Sequence, residues 1–127
     1  MRKRLLVDSD VIIDYLNDFN LACDFIETHL EQICLSVITV AEIRAGIKGK
    51  DEEQALRQFL SVIPLFDVTR TIAEMAGDWV RQFGRSHSVE VPDALIAATA
   101  ATHDLALKTL NTKHYPMFKG LGPTYKK

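Results

Sequence analysis

The sequence has little of what marks secreted, disulfide-stabilised or membrane proteins. Its 127 residues include two cysteines, and no apolar run approaches the roughly 18 residues that suggest a membrane span. The first eight residues are basic and then only briefly apolar, whereas a secretory signal needs a longer apolar stretch. The length suits one domain, so we expect a single domain over residues 1–127, in the cytoplasm and away from membranes.

The cysteines and the net charge also exclude some functions. Cys23 and Cys34 lie in apolar patterns without CxxC spacing, which favours buried free thiols. The net charge is −2, which argues against a protein that coats nucleic acid by bulk electrostatics. An enzyme that contacts RNA through a local basic patch and a metal ion remains possible.

Short apolar runs alternate with helical patterns along the chain. Strands are predicted at residues 4–8, 33–37, 65–68 and 105–109. Helices are predicted at 11–16, from Asn20, from Thr39 to Gly46 or Gly49, at 51–63, at 71–83 and from Pro92. This alternation predicts right-handed crossovers and a mostly parallel sheet covered by helices, which is an α/β fold.

Two carboxylates follow the first predicted strand. Asp8 and Asp10 flank Ser9 at the point where that strand ends and a helix starts. An Asp at this position can cap the helix through a side-chain oxygen, and it can also bind a metal ion. Both roles are compatible because a carboxylate has two oxygens.

Two further carboxylates lie at predicted helix starts. Glu42 follows Thr39 with the spacing of a capping box. Asp93 follows Pro92 in a first helical turn, where negative charge suits the helix dipole. Each residue taken alone is explained by such a structural role.

The acidic residues gain meaning from their shared position. The carboxyl ends of parallel strands meet at one rim, so Asp8, Ser36 and the segment 109–111 are expected there together. Glu42 and Asp93 lie at helix starts that a parallel sheet would bring to the same rim. Clustered carboxylates repel each other, and a hard cation such as Mg²⁺ or Mn²⁺ removes that cost. No His/Cys cluster with zinc spacing competes for the assignment. A cation held there could activate water for hydrolysis of a phosphodiester.

Four segments in this order resemble the PIN-domain proteins, and within them the VapC-type toxin ribonucleases of VapBC toxin–antitoxin pairs. They are LVDSDVIID at 6–14, SVITVAEIRAG at 36–46, PDALIAA at 92–98 and LKTLNTKHY at 107–115. Each motif alone is weak, but four in the right order and at the right separations, over nearly the whole chain, are fairly specific. The resemblance implies a PIN-like three-layer α/β/α sandwich and a Mg²⁺- or Mn²⁺-dependent endoribonuclease that a cognate antitoxin inhibits.

The resemblance also implies roles for individual residues. Asp8, Glu42 and Asp93 match the family's metal-binding acidic residues, with Glu42 the one expected to act through water. Asn111 and Thr109 match a catalytic amide and hydroxyl that orient these groups, and Ser36 is expected nearby.

Two positions depart from the family pattern. His114 stands where many relatives have a fourth acidic residue, so one cation is expected rather than two, and His114 could touch phosphate, position water or only pack. Asp10 stands where many relatives have Asn, and it adds charge to the site or caps the following helix.

Basic and apolar residues suggest partner surfaces. Arg44 and Lys113 lie near the predicted rim and are the preferred phosphate contacts, ahead of the basic arm of residues 2–4. The resemblance implies a VapB-type antitoxin laid across the helices and, often, a homodimer. The candidates for the antitoxin groove are Ile12, Tyr15, Leu16, Phe19 and Phe25, although apolar residues at helical spacing are more often simple core.

Two other functions fit parts of the sequence. A binding module that holds RNA or a partner without cutting is compatible with the missing fourth carboxylate. The Asp8-Ser9-Asp10 segment also resembles the nucleophile motif of haloacid-dehalogenase-type phosphatases, but the chain is short for that fold and lacks a convincing later acidic pair.

Overall fold

A four-stranded parallel sheet forms the centre of the protein, with helices on both faces. The computed structural model describes residues 3–127. The strands are β1 (Leu5–Val7), β2 (Ile33–Ser36), β3 (Leu65–Phe66) and β4 (Ala106–Lys108). The helices are α1 (Ser9–Leu16), α2 (Asn20–Thr28), α3 (Val37–Ala45), α4 (Lys50–Leu60), α5 (Arg70–His87) and α6 (Val91–Thr102). Single 3-10 turns lie at Leu30–Gln32 and Thr112–His114.

The strand order β3-β2-β1-β4 places a topological switch point between β1 and the edge strand β4. The chain builds outward from β1 to β2 and β3, and then returns to add β4 on the other side of β1. All three pairings are parallel, with Leu6 opposite Cys34 on one side and Leu107 on the other. In parallel sheets ligands bind beyond the carboxyl ends of the strands at such a point, which here lies between β1 and β4.

Alternation along the short strands divides the core into two layers. Leu5 and Val7 pack with α1, α2 and α4 on one face, in a cluster that includes Ile12 and Leu56. Leu6 points to the other face, where the small residues of α6 allow close packing. Helix α5 covers α6 through its own buried stripe. The expected α/β/α layering is therefore confirmed.

Helix α3 begins earlier than its capping-box pattern predicts. The hydroxyl of Ser36 accepts a hydrogen bond from the Ile38 amide at 3.0 Å, so Ser36 is the N-cap. Thr39 lies inside the helix, and its hydroxyl is buried without a partner within residues 3–127. The predicted Thr39–Glu42 capping box is wrong, because Ser36 follows β2 directly and takes the cap position first.

Other boundaries moved by a few residues. Helix α5 extends to His87, four residues beyond the predicted end. Strand β3 is shorter than expected, and the tail after β4 contains a 3-10 turn at Thr112–His114. No helix within residues 3–127 is both long and apolar enough to cross a bilayer.

Candidate active site

Asp8 lies at the switch point, and its carboxylate accepts hydrogen bonds from Ser9, Thr109 and Tyr115. It directly follows β1 and caps α1, with Oδ1 accepting the Ser9 amide at 2.8 Å. The hydroxyl of Thr109, the residue after β4, donates to Oδ2 at 2.9 Å. The side chain is nearly buried, at 6% exposure. The cap role and the rim position predicted for Asp8 therefore coexist.

Tyr115 also holds Asp8, and the sequence did not single this residue out. Its hydroxyl donates to Asp8 Oδ2 at 2.7 Å from a position that is almost fully buried. Burial and the nearby Asp8 charge raise the pKa of Tyr115 far above its usual range, so the phenol remains a donor. The sequence pattern predicts Tyr115 only as a core aromatic residue. Its hydroxyl is the one sequence feature that indicates a polar partner.

Asp10 is fixed by the backbone of the loop after β4. Its Oδ2 accepts the Leu110 amide at 2.9 Å and lies 3.3 Å from the Thr109 hydroxyl, while its Oδ1 accepts the Val11 amide at 2.8 Å. Burial, and then the charge of Asp8, raise the pKa of Asp10 to about 6. Asp10 thus couples α1 to the loop that carries Thr109.

Glu42 reaches the same centre from α3. Its Oε1 is buried and has no hydrogen-bond partner within residues 3–127. Burial is the main cause that raises the pKa of Glu42, and the charges of Asp8, Asp93 and Asp10 add to it. An unpartnered buried carboxylate oxygen is costly, which suggests that a ligand completes its environment.

Asp93 lies in the first turn of α6 and contacts His114. The His114 Nδ1 is 3.2 Å from Asp93 Oδ2, and both side chains are partly exposed. Burial raises the pKa of Asp93, while the hydrogen bond from His114 opposes that rise. His114, which stands where many PIN-domain proteins have a fourth acidic residue, therefore contacts Asp93, the third acidic residue of the family pattern.

The structure leaves several predicted site residues outside this cluster. The Ser36 hydroxyl is used to cap α3. Asn111 is exposed and joins the site through its backbone, whose amide donates to Thr109 Oγ1 at 3.1 Å. Arg44 faces Glu53 on α4 at 3.8 Å, and Lys113 is exposed beside His114. Arg2 lies outside the described residues.

The donor set fits a hard divalent cation, although the side chains are not yet gathered around one point. Within residues 3–127, no three His, Cys, Asp or Glu side chains form a ready metal cluster. Glu42 nevertheless presents an unpartnered oxygen, and its pKa and those of Asp10 and Asp93 are all raised in one negatively charged region. Oxygen donors of this kind suit Mg²⁺, Mn²⁺ or Ca²⁺ better than softer ions.

Comparison with known proteins agrees with this architecture. The family model described as PIN domain matches residues 5–117. Ribonuclease VapC10 of Mycobacterium tuberculosis is 37% identical over 95% of this chain and 92% of its own length. Ribonuclease VapC19 of the same species is 34% identical, covering 94% of this chain and 98% of its own.

A solved structure agrees as well. A toxin–antitoxin complex from Klebsiella pneumoniae contains a chain that superposes with a TM-score of 0.82 and 30% identity. The alignment covers 97% of this chain and 99% of that one. The protein therefore belongs to the PIN-domain family. Its similarity over nearly the full length is to the VapC ribonucleases of that family, which generally use a divalent metal ion.

Proposed function

We propose that this chain is the toxin of a type II toxin–antitoxin pair, acting in the cytoplasm as a Mg²⁺- or Mn²⁺-dependent endoribonuclease. In this proposal residues 1–127 form one catalytic domain that hydrolyses RNA phosphodiester bonds. The observation that carries it is the unpartnered oxygen of Glu42 among carboxylates with raised pKa values. Such a site is stabilised by a cation and is suited to phosphoryl chemistry.

Each residue of the centre has a distinct role in the proposal. Asp8, Glu42 and Asp93 would hold the cation, which when bound supplies a Lewis acid for the charge that develops on the phosphate. Thr109 and Tyr115 fix the orientation of Asp8 through its Oδ2. Well-oriented ligands lower the cost of gathering the site around an ion.

His114 makes one cation the expected number. It occupies the place of a fourth carboxylate and instead contacts Asp93 through Nδ1. An imidazole there brings no negative charge to balance a second ion. In the proposal His114 orients Asp93, and its other ring nitrogen can contact a phosphate oxygen.

The deciding experiment is cleavage of RNA by purified protein with Mg²⁺, with Mn²⁺ or with EDTA. Wild type should cut only with the cation, and Asp93→Asn should cut at least about 100-fold more slowly. Glu74→Gln is the matched control, because it removes one carboxylate from the exposed face of α5. Cleavage in EDTA, or equal rates for wild type and Asp93→Asn, would contradict the proposal.

The second candidate function is a module that binds RNA or a partner without catalysis. His114 in the fourth position and the open arrangement of the carboxylates favour it. The two functions differ in one result, since a pure binding module retains RNA without shortening it under any cation. The phosphatase alternative is set aside because the chain belongs to the PIN-domain family.

A groove between α1, α2 and α4 is the surface we propose for the antitoxin. It has a volume of about 380 Å³, and its apolar lining includes Tyr15, Leu16, Phe59 and the exposed Val62. Ile12, one of the sequence candidates, is instead fully buried core. An apolar segment of a VapB-type partner would cover these side chains.

The proposed groove can be tested separately from catalysis. Val62→Asp should weaken inhibition by the product of an adjacent small gene without slowing RNA cleavage. Val62 is 68% exposed and precedes β3, so it lies at the end of the sheet opposite the carboxylates, which lie at the carboxyl ends of the strands. Leu21→Asp, an exposed apolar position outside the lining, is the control. A homodimer is the expected assembly, and light scattering of the free toxin checks it.

A further inference from the structure

The last part of the chain is uniformly basic. Residues 105–127 contain five lysines and His114 but no Asp or Glu, whereas the whole chain has 15 Lys and Arg against 17 Asp and Glu. The preceding residues therefore hold ten basic groups against all seventeen acidic ones. We call residues 108–127 the basic segment.

The basic segment runs past the acidic centre from one side to the other. Phe118 packs edge-on against Trp79 of α5, with ring centroids 6.2 Å apart. Further along, the Tyr125 hydroxyl donates to Asp14 of α1 at 2.7 Å. Between these anchors the Thr124 amide donates to the Thr109 carbonyl at 3.0 Å, directly behind the residue that holds Asp8.

Lysines of this segment are available on both sides of the centre. Lys113 precedes His114, which contacts Asp93, and Lys126 follows Tyr125, which is fixed to α1. Both lysines are exposed, and neither forms an ion pair with another part of residues 3–127. Lys127 differs because its ammonium lies 2.9 Å from Asp14.

A groove lies on the α1 side of the basic segment. It has a volume of about 410 Å³ and is lined by Leu110, Pro123, Tyr125, Lys126 and Lys127. The Leu110 amide at its inner end donates to Asp10. The groove therefore begins at a residue that contacts the acidic centre and ends at Lys126 and Lys127.

Charge explains why an RNA enzyme needs these flanks. The charges of Asp8, Asp10 and Asp93 all raise the pKa of Glu42, so these four carboxylates form a strongly acidic centre. A single divalent cation does not neutralise four carboxylates, and the centre still repels a polyanion. Exposed cations on both sides offset that repulsion and position the backbone.

We propose that the basic segment is the track that binds RNA phosphates on both sides of the scissile bond, with Lys113 on the Asp93 side and Lys126 on the α1 side. This inference rests on the proposed ribonuclease function. RNA is the occupant that fits because every charged side chain of the basic segment is basic, and because one end of the groove contacts the acidic centre through Leu110.

The test is the salt dependence of binding of fluorescent oligouridylate in EDTA, where cleavage is blocked. The slope of log K against log salt is negative, and each lost phosphate contact on a single strand makes it less steep by about 0.7. The double variant Lys113→Ala with Lys126→Ala should therefore lose about 1.4 from the slope. At 0.1 M salt its affinity should fall about 25-fold, since each contact is worth about fivefold there.

The matched control removes two positive charges from the other end of the sheet, where the amino ends of the strands lie. Lys3 and Arg4 precede β1, and Lys3 pairs with Asp104 at 3.0 Å, so this edge faces away from the carboxyl ends of the strands. Lys3→Ala with Arg4→Ala should leave the slope unchanged. Lys113→Arg with Lys126→Arg should restore wild-type affinity.

Each other outcome has a defined meaning. An unchanged slope in the alanine variant, or an equal loss in the control, overturns the track even if wild type cuts RNA. Loss of antitoxin binding with an unchanged RNA slope also overturns it and assigns the lysines to the partner. Absence of any cation-dependent cleavage by wild type is instead the failure of the proposed function.

Discussion

The two halves of the acidic centre differ in how completely the fold satisfies them. Asp8 and Asp10 accept hydrogen bonds from backbone amides and from the hydroxyls of Thr109 and Tyr115. Glu42 has a buried oxygen with no partner in residues 3–127, and Asp93 contacts only His114 among the described hydrogen bonds. The first pair is held by the protein, whereas the second pair is open to a ligand.

This difference predicts which substitutions lower the stability of the fold and which affect ligand binding alone. Donors around Asp8 and Asp10 support the folded chain, so their loss should affect stability. Burial raises the pKa of Asp10, Glu42 and Asp93 alike, so Glu42 and Asp93 differ from Asp10 in having fewer hydrogen-bond donors to support their charges. Clusters of this kind are typical of functional sites. The four predictions below test whether the two halves respond in opposite ways.

The largest expected effect comes from Asp93→Asn compared with Asp8→Asn. Both should lower the rate of RNA cleavage by about 100-fold or more, since each removes a proposed charge that binds the cation. Only Asp8→Asn should also destabilise the fold, by about 1–3 kcal/mol, because its amide group cannot accept all three present donors. Chemical denaturation together with cleavage assays measures both effects.

Asp93→Asn should leave stability unchanged or increase it in the absence of metal. Its carboxylate is held at a raised pKa by burial, so neutralising it removes an unfavourable charge. Equal destabilisation by both substitutions would show that the halves do not differ in support.

The next effect is a dependence of stability on pH in metal-free protein. The pKa of Asp10 rises from 3.8 in the unfolded reference to about 6 in the fold. The folded protein then holds a proton that the unfolded chain has released, so stability falls as pH rises through this window. The loss is at most about 3 kcal/mol and is complete above the higher value. Raised pKa values of Glu42 and Asp93 act in the same direction.

Asp10→Asn is the variant that isolates this effect. It should flatten the stability profile between pH 4 and pH 7 relative to wild type, as measured by urea denaturation at several pH values. A wild-type profile that rises with pH over that range would contradict the environment described for Asp10.

A third effect is stabilisation by the cation itself. Mn²⁺ at about 100 times its dissociation constant should raise the free energy of unfolding by about 2.7 kcal/mol. Glu42→Gln should lose most of this gain because its unpartnered oxygen is a proposed ligand. Asp10→Asn should keep it, since both Asp10 oxygens already accept backbone amides. Thermal unfolding with and without Mn²⁺ decides between them.

Local patterns were sufficient to predict most of the architecture. The four strands are short apolar runs, and each formed within a few residues of its predicted position. The PIN-domain assignment is confirmed because its motifs span nearly the whole chain. Asp8, Glu42 and Asp93 were expected at one rim, and the charges of Asp8 and Asp93 do raise the pKa of Glu42. Their metal-binding role remains a prediction.

Contacts between distant residues could not be predicted in the same way. The hydrogen bond from Tyr115 to Asp8 joins residues 107 apart, and nothing local in the sequence requires it. Thr39 and Ser36 both have the chemistry of an N-cap, and only the end of β2 decides between them. The sequence allows Ile12 to line a groove for a partner, but in the structure Ile12 is fully buried in the core.

The smallest expected effect concerns Tyr115, the supporting donor that joins the two parts of the chain. Tyr115→Phe keeps the packed ring but removes the hydrogen bond to Asp8, which should cost about 1 kcal/mol of stability. The freer Asp8 carboxylate should also weaken Mn²⁺ binding about 10-fold, measured by calorimetry. Tyr125→Phe is the control, because it removes an equally short hydroxyl–carboxylate bond, to Asp14, away from the proposed ligands. If both variants lose stability but bind Mn²⁺ as tightly as wild type, Tyr115 supports the fold alone, and its hydrogen bond to Asp8 does not contribute to binding of the ion.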